Sequence, residues 1–141
     1  MSEPAPPSPP TGFEPAIGRG AFTTHNGPFF HRPNAEGAEQ AFFAVARHCN
    51  GLGLIHGGML SAFLDSLLAA AAGRMSGATP VTMHLSVSFL DMGRAGEWVQ
   101  GEAHVTRLAR DVAFAEGRAH IAGRDLARAS GVFKLMHRRA R

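Results

Sequence analysis

Over residues 59–72 the apolar side chains Leu60, Phe63, Leu64, Leu67, Leu68 and Ala71 recur at intervals of three and four. That spacing turns one stripe of a helix toward a core. It predicts a buried helix over 59–72, with Gly73 as its stop. Beyond it the period changes to two. Val81, Met83, Leu85, Val87 and Phe89 alternate with Thr82, His84, Ser86 and Ser88, which predicts a half-buried strand over 81–90 with the two sets on opposite faces. Residues 98–108, 111–123 and 126–136 read as three more strands joined by short turns. Ahead of the helix, 28–30 and 39–49 read as a hairpin, and the stretch GLGLIHGG at 51–58 has four glycines in eight positions and reads as a loop. No repeat is present. The expected class is α+β: two strands, one helix, four strands, as an antiparallel sheet curled around a single central helix.

With 141 residues, 45% of them hydrophobic, the chain has the material for one domain with a real core. We place that domain at 13–141, after a proline-rich stretch at 1–12 expected to be a disordered tail. The opening MSEPAPPSPP has neither the basic nor the apolar region of a secretory signal. The net charge of +3 comes mostly from arginine, which suits phosphates and carboxylates. No lysine block, zinc-knuckle spacing or aromatic RNA-binding motif accompanies it, so nucleic acid is not an expected partner. A single cysteine, Cys49, cannot form an internal disulfide and fits a reducing cytoplasm. Residues 51–73 raise the question of a membrane span, but the glycine-rich first third, His56 and a central Asp argue against one. Eight histidines occur with no HxxxH or HxxH pair and no cysteine cluster, so no metal site is expected.

Between Arg47 and Arg74 the only fixed charge is Asp65, midway along MLSAFLDSLLAAAA. A carboxylate in apolar company must either find hydrogen-bond donors or have its pKa raised, and either result suits a catalytic acid or base. Its helical neighbours three and four residues away are Ser61, Ala62, Leu68 and Ala69. Three of the four are small, which leaves room for a ligand or a second subunit.

Asn50, His56, Gly57, Gly58 and Asp65, read as N-x5-H-G-G-x6-D, together with HNGPFF at 25–30, the strand at 81–90 and the ending ASGVFKLM, resemble the hotdog-fold acyl-CoA thioesterases of the phenylacetic-acid-degradation type. The likeness covers about residues 20–137. It implies a hotdog fold and hydrolysis of an acyl-CoA to acid and CoA with no cofactor. It further implies a homodimer, or a dimer of dimers, with each site built across the subunit interface. By the same likeness Asp65 attacks the thioester or activates a water. The backbone N–H of Gly57 serves as oxyanion donor, Asn50 and His56 orient and polarise, and Thr82 positions the attacking water. Gly58 is placed in the substrate-binding loop. Arg107, Arg110, His137, Arg138 and Arg139 are candidates for the coenzyme A phosphates, and Phe42, Phe43, Phe63 and Phe89 for an apolar acyl pocket. Two alternatives are a hotdog hydratase or dehydratase, which pairs His and acid at other spacings, and a non-catalytic acyl-CoA-binding module, which has no reason to bury an acid.

Overall fold

The computed structural model describes residues 3–138. Seven strands, β1 (Glu14–Pro15), β2 (Phe29–Arg32), β3 (Ala38–Phe43), β4 (Thr79–Phe89), β5 (Trp98–Leu108), β6 (Val112–Ile121) and β7 (Arg124–Met136), form one antiparallel sheet. Their order is β1-β2-β3-β5-β6-β7-β4. Helix α2 (Gly57–Ser76) packs along one face and a short helix, α1 (Ala21–Asn26), precedes β2. This is the α+β, hotdog-like arrangement of a long central helix on an antiparallel sheet. No helix among the described residues is long and apolar enough to cross a membrane.

Helix α2 is longer at both ends than its apolar stripe predicts. It starts at Gly57 because His56 caps it, Nδ1 accepting the Gly58 N–H at 2.7 Å. It runs through Gly73 and ends at Gly77, whose φ of 70° is the left-handed cap that glycine adopts without strain. Gly73 has a packing role: a Cβ there would stand 3.3 Å from Pro80 Cδ.

The expected second strand, 39–49, stops at Phe43, and Ala46–His48 forms a single 3-10 turn. Its side chains serve α1, an element the hydrophobic pattern does not reveal because none of its residues is buried. Arg47 donates to the carbonyls of His25, at 2.8 Å, and Gly27, while His48 Nε2–H donates to Asn26 O at 2.7 Å. These bonds satisfy the orphan carbonyls at the end of α1. The His48 ring is buried, with Nδ1 accepting from the Val45 N–H at 3.1 Å, and that burial pushes its pKa below the ordinary histidine value. Within 3–12, the Glu3 carboxylate pairs with Arg47 at 2.8 Å and Thr11 O accepts from Arg32 at 3.0 Å.

The core lies between α2 and the sheet. Phe29, Phe42 and Phe63 pack as a trio with ring centroids 5.0–6.0 Å apart. A smaller cluster of Phe13, Phe30 and Ala41 sits apart from it, closed by Trp98. The helix packs directly on backbone at Gly101 of β5, where an added Cβ would lie 2.7 Å from Leu67 Cδ2 and 2.8 Å from the Arg118 carbonyl. Gly101→Ala should therefore lower stability by about 1–3 kcal/mol through overpacking, read as a reduced midpoint in urea. An unchanged midpoint would show that the helix can retreat from β5 without loss.

Candidate active site

Asp65 sits half-buried on the face of α2 that turns away from the apolar stripe, and its Oδ1 accepts a hydrogen bond from Thr82 Oγ1 at 2.6 Å. The donor required by an acid in this setting is thus supplied from β4. Simple alternation would put Thr82 on one face with His84, Ser86 and Ser88. A bulge between Thr82 and His84 breaks that alternation. Thr82 pairs opposite the core residue Phe133 and reaches Asp65, whereas Ser86 pairs opposite Ser130 and faces outward. One extra residue re-aims a side chain, a common use of bulges beside functional sites. None of the described residues donates to the second Asp65 oxygen, which leaves it available to a water or substrate.

Asp65 lines a cleft of about 650 Å³. Its floor is a face of α2 made by Ala62, Ser66, Ala69, Ala70 and Gly73 and ending in Arg74; Arg19, Phe22, Thr23 and Phe29 form the opposite wall. The small-residue face is legible in the sequence as positions 62, 65, 66, 69, 70 and 73 on one side of a helix. The wall is not, since it comes from distant chain. Phe42 and Phe63 are fully buried in the core and do not line this cleft, and Phe43 stacks near Trp98 at 5.4 Å. The fourth phenylalanine, Phe89, stands beside the helix start, where a Cβ on Gly57 would meet its ring at 3.3 Å.

The loop residues of the motif gather at the N-terminus of α2. Asn50 Oδ1 accepts from the backbone N–H groups of Leu52, at 2.9 Å, and Leu54, at 3.2 Å, so it shapes the loop and makes no bond to Asp65. His56 N–H donates to His48 O at 2.8 Å and Ile55 N–H to Gly93 O at 2.8 Å, which pins the loop to the 3-10 turn and to the β4–β5 connection. With Nδ1 accepting from Gly58, a neutral His56 carries its proton on Nε2 and can donate outward. The Gly57 N–H is among the unpaired donors at the positive end of the helix. Eight residues separate Gly57 from Asp65, about 12 Å along a helix. These two groups of one chain cannot meet on one carbonyl.

Arg107, Arg110, His137 and Arg138 lie at the end of the sheet where β5 turns into β6, with His137 Nε2 donating to Arg110 O at 2.6 Å; none lines the Asp65 cleft. Arg139 is outside the described residues. A separate concavity of about 430 Å³ on the outer face of the sheet contains none of the expected site residues. It holds an ionic network in which Arg118 bridges Glu102, at 2.5 Å, and Asp125, keeping the Asp125 carboxyl below the usual carboxylate range. Among the described residues no three His, Cys, Asp or Glu side chains gather closely enough to hold a metal ion.

A helix crossing a curved antiparallel sheet, a glycine-rich loop at its head and an acid on its open face define the class, and comparison with known proteins agrees. The thioesterase superfamily profile matches residues 52–127. A Pseudomonas aeruginosa protein described provisionally as an esterase is 37% identical over 131 residues, covering 89% of this chain and 96% of its own. The chain belongs to the thioesterase superfamily, whose hotdog members act without a cofactor, coenzyme A entering only as part of the substrate. Among solved structures, a variant of the phenylacetic acid degradation protein PaaI from Thermus thermophilus superimposes with a TM-score of 0.74 at 25% identity, covering 82% of this chain and 98% of that one. A hypothetical thioesterase from Streptococcus pneumoniae, solved with coenzyme A, shares the fold with a TM-score of 0.73 at 17% identity over 79% of this chain and 88% of that one.

Replacing Thr82 by Ala removes the hydrogen bond to Asp65. Hydrolysis of a thioester substrate should fall about 10-fold or more in kcat with little change in KM, while Thr82→Ser keeps the hydroxyl and most of the rate. Equal losses for Ala and Ser would show that the methyl group, not the hydroxyl, matters.

Proposed function

We propose that the protein is an acyl-CoA thioesterase, hydrolysing an aryl-, arylacetyl- or medium-chain acyl-CoA to the free acid and CoA, with Asp65 as general base. The observation that carries this reading is Asp65 itself: a carboxylate on a small-residue helix face, held at one oxygen by Thr82 and open at the other beside a large cleft. A water on the open oxygen is placed to attack the thioester carbonyl as its proton passes to Asp65. The oxyanion that forms needs donors preorganised where charge develops. When the tetrahedral adduct collapses, the C–S bond breaks and the CoA thiolate takes the proton back from Asp65.

Those donors come, in this reading, from the Gly57 N–H of a second copy, because the chain's own Gly57 is about 12 Å from Asp65 along the helix. The sheet supplies a place for that copy. Strand β4 is an edge of 11 residues with a free side and exposed apolar groups, Val81, Met83 and Phe89 being 49%, 65% and 55% accessible. A long apolar edge strand is a template for pairing with another chain. A two-fold pairing through β4 lays two α2 helices side by side in opposite directions, so that the head of each faces the middle of the other. In this dimer His56 and Asn50 hold the donor loop, and Gly58 borders the thioester.

The test is thiol release over a panel of acyl-CoAs, followed by Asp65→Asn on the best substrate. The variant should fold normally and lose at least about 100-fold in rate, the usual cost of removing a general base. Near wild-type turnover by the Asn variant would make Asp65 structural. Zero release by the wild type across the panel would favour a binding module.

A further inference from the structure

The Asp65 cleft adjoins a second cavity of about 210 Å³: Arg19, Ala70 and Arg74 line both. Arg19 is held out on a corner between Gly18 and Gly20, whose φ values of 72° and 90° other residues rarely adopt. Arg74 lies nine residues beyond Asp65 on the same helix, about 13 Å along the axis, and the backward tilt of helical side chains carries its guanidinium toward Asp65. Neither arginine has a carboxylate partner among the described residues. The one acid in the second cavity, Glu39, is already engaged by Arg32 at 2.5 Å.

Behind the arginines stands Gln40, 1% exposed. Its Oε1 accepts from Ser66 Oγ at 3.1 Å, and its Nε2 has no hydrogen-bond partner among the described residues. An unmet donor in the interior costs stability unless something accepts from it. The cavity thus offers two arginines and an amide N–H with no unengaged acid among its lining residues. An anion is the complement.

Between Asp65 and these arginines the cleft is lined by Ala62, Ala69, Ala70, Gly73, Phe22, Phe29 and Pro80, with hydroxyl groups from Ser66, Thr23 and Thr79. Apolar groups outnumber these hydroxyls, which suits a methylene chain better than the two amides of a pantetheine arm. We infer that Arg19 and Arg74, with Gln40 behind them, form a carboxylate subsite for the far end of the acyl group. The preferred substrates are then ω-carboxyacyl thioesters, the CoA esters of medium-length dicarboxylic acids. This inference rests on the thioesterase reading of Asp65.

The experiment compares suberyl-CoA with octanoyl-CoA, which differ by the terminal carboxylate, in the full-length protein and in Arg19→Gln/Arg74→Gln. The wild type should favour suberyl-CoA in kcat/KM. The double variant should lose that preference by at least about tenfold, mainly through KM. Unchanged selectivity would overturn the subsite. Equal losses on both CoA esters, absent with the matching N-acetylcysteamine thioesters that carry no phosphate, would assign the arginines to coenzyme A and likewise overturn it. If the wild type cleaves none of these esters, the thioesterase reading fails separately. Calorimetric titration with free suberate and octanoate then decides the subsite: suberate binding that the double variant lacks supports it, and no preference for suberate refutes it.

Discussion

Bare backbone at Gly101 and Gly131 lets the Phe63, Leu67 and Leu68 side chains of α2 settle directly on β5 and β7, closer than any side chain on those positions would allow. That approach commits the whole large-residue stripe of the helix to the sheet, where it is excluded from water. The remaining face is then free to be small. Ala62, Ser66, Ala69, Ala70 and Gly73 contribute little to the core, so the space above them stays open as a cleft with Asp65 at its edge. Core packing on one side of α2 is what makes a site on the other possible.

The second constraint is local. Without the bulge after Thr82, strict alternation would keep Thr82 on the outer face with Ser86 and Ser88 and leave Asp65 without its donor. The bulge gives the acid on α2 a hydrogen-bond donor and leaves its second oxygen without a donor among the described residues. Fixing a carboxylate in this way removes alternative rotamers, the positioning that the general-base role proposed for Asp65 requires.

The central helix and the four strands after it were legible because their burial is periodic, and Asp65 stood out because a lone charge in such a run demands a reason. What escaped the pattern depends on contacts distant in sequence. Helix α1 buries nothing, so no periodicity marks it, and its carbonyls are met by Arg47 and His48 from a segment that reads as strand. Gly73 reads as a helix stop, yet nothing in the sequence separates a glycine needed for φ from one needed for the approach of Pro80. Phe42 and Phe63 look as suited to a pocket as to a core, and the trio with Phe29 decides it. Arg19 and Gln40 come together beside Arg74 only through the fold.

The account turns on a site that takes Asp65 from one chain and Gly57 from another, and complementation between two inactive variants tests this most directly. Asp65→Asn and Gly57→Val, carried on differently tagged chains and isolated as the mixed dimer, leave one intact pairing of Asp65 with Gly57 out of two. Roughly half the wild-type rate per dimer is predicted, since a two-fold dimer has two equivalent sites. A mixed dimer no more active than either parent, alongside an active wild-type pair purified through the same two tags, would contradict the shared site.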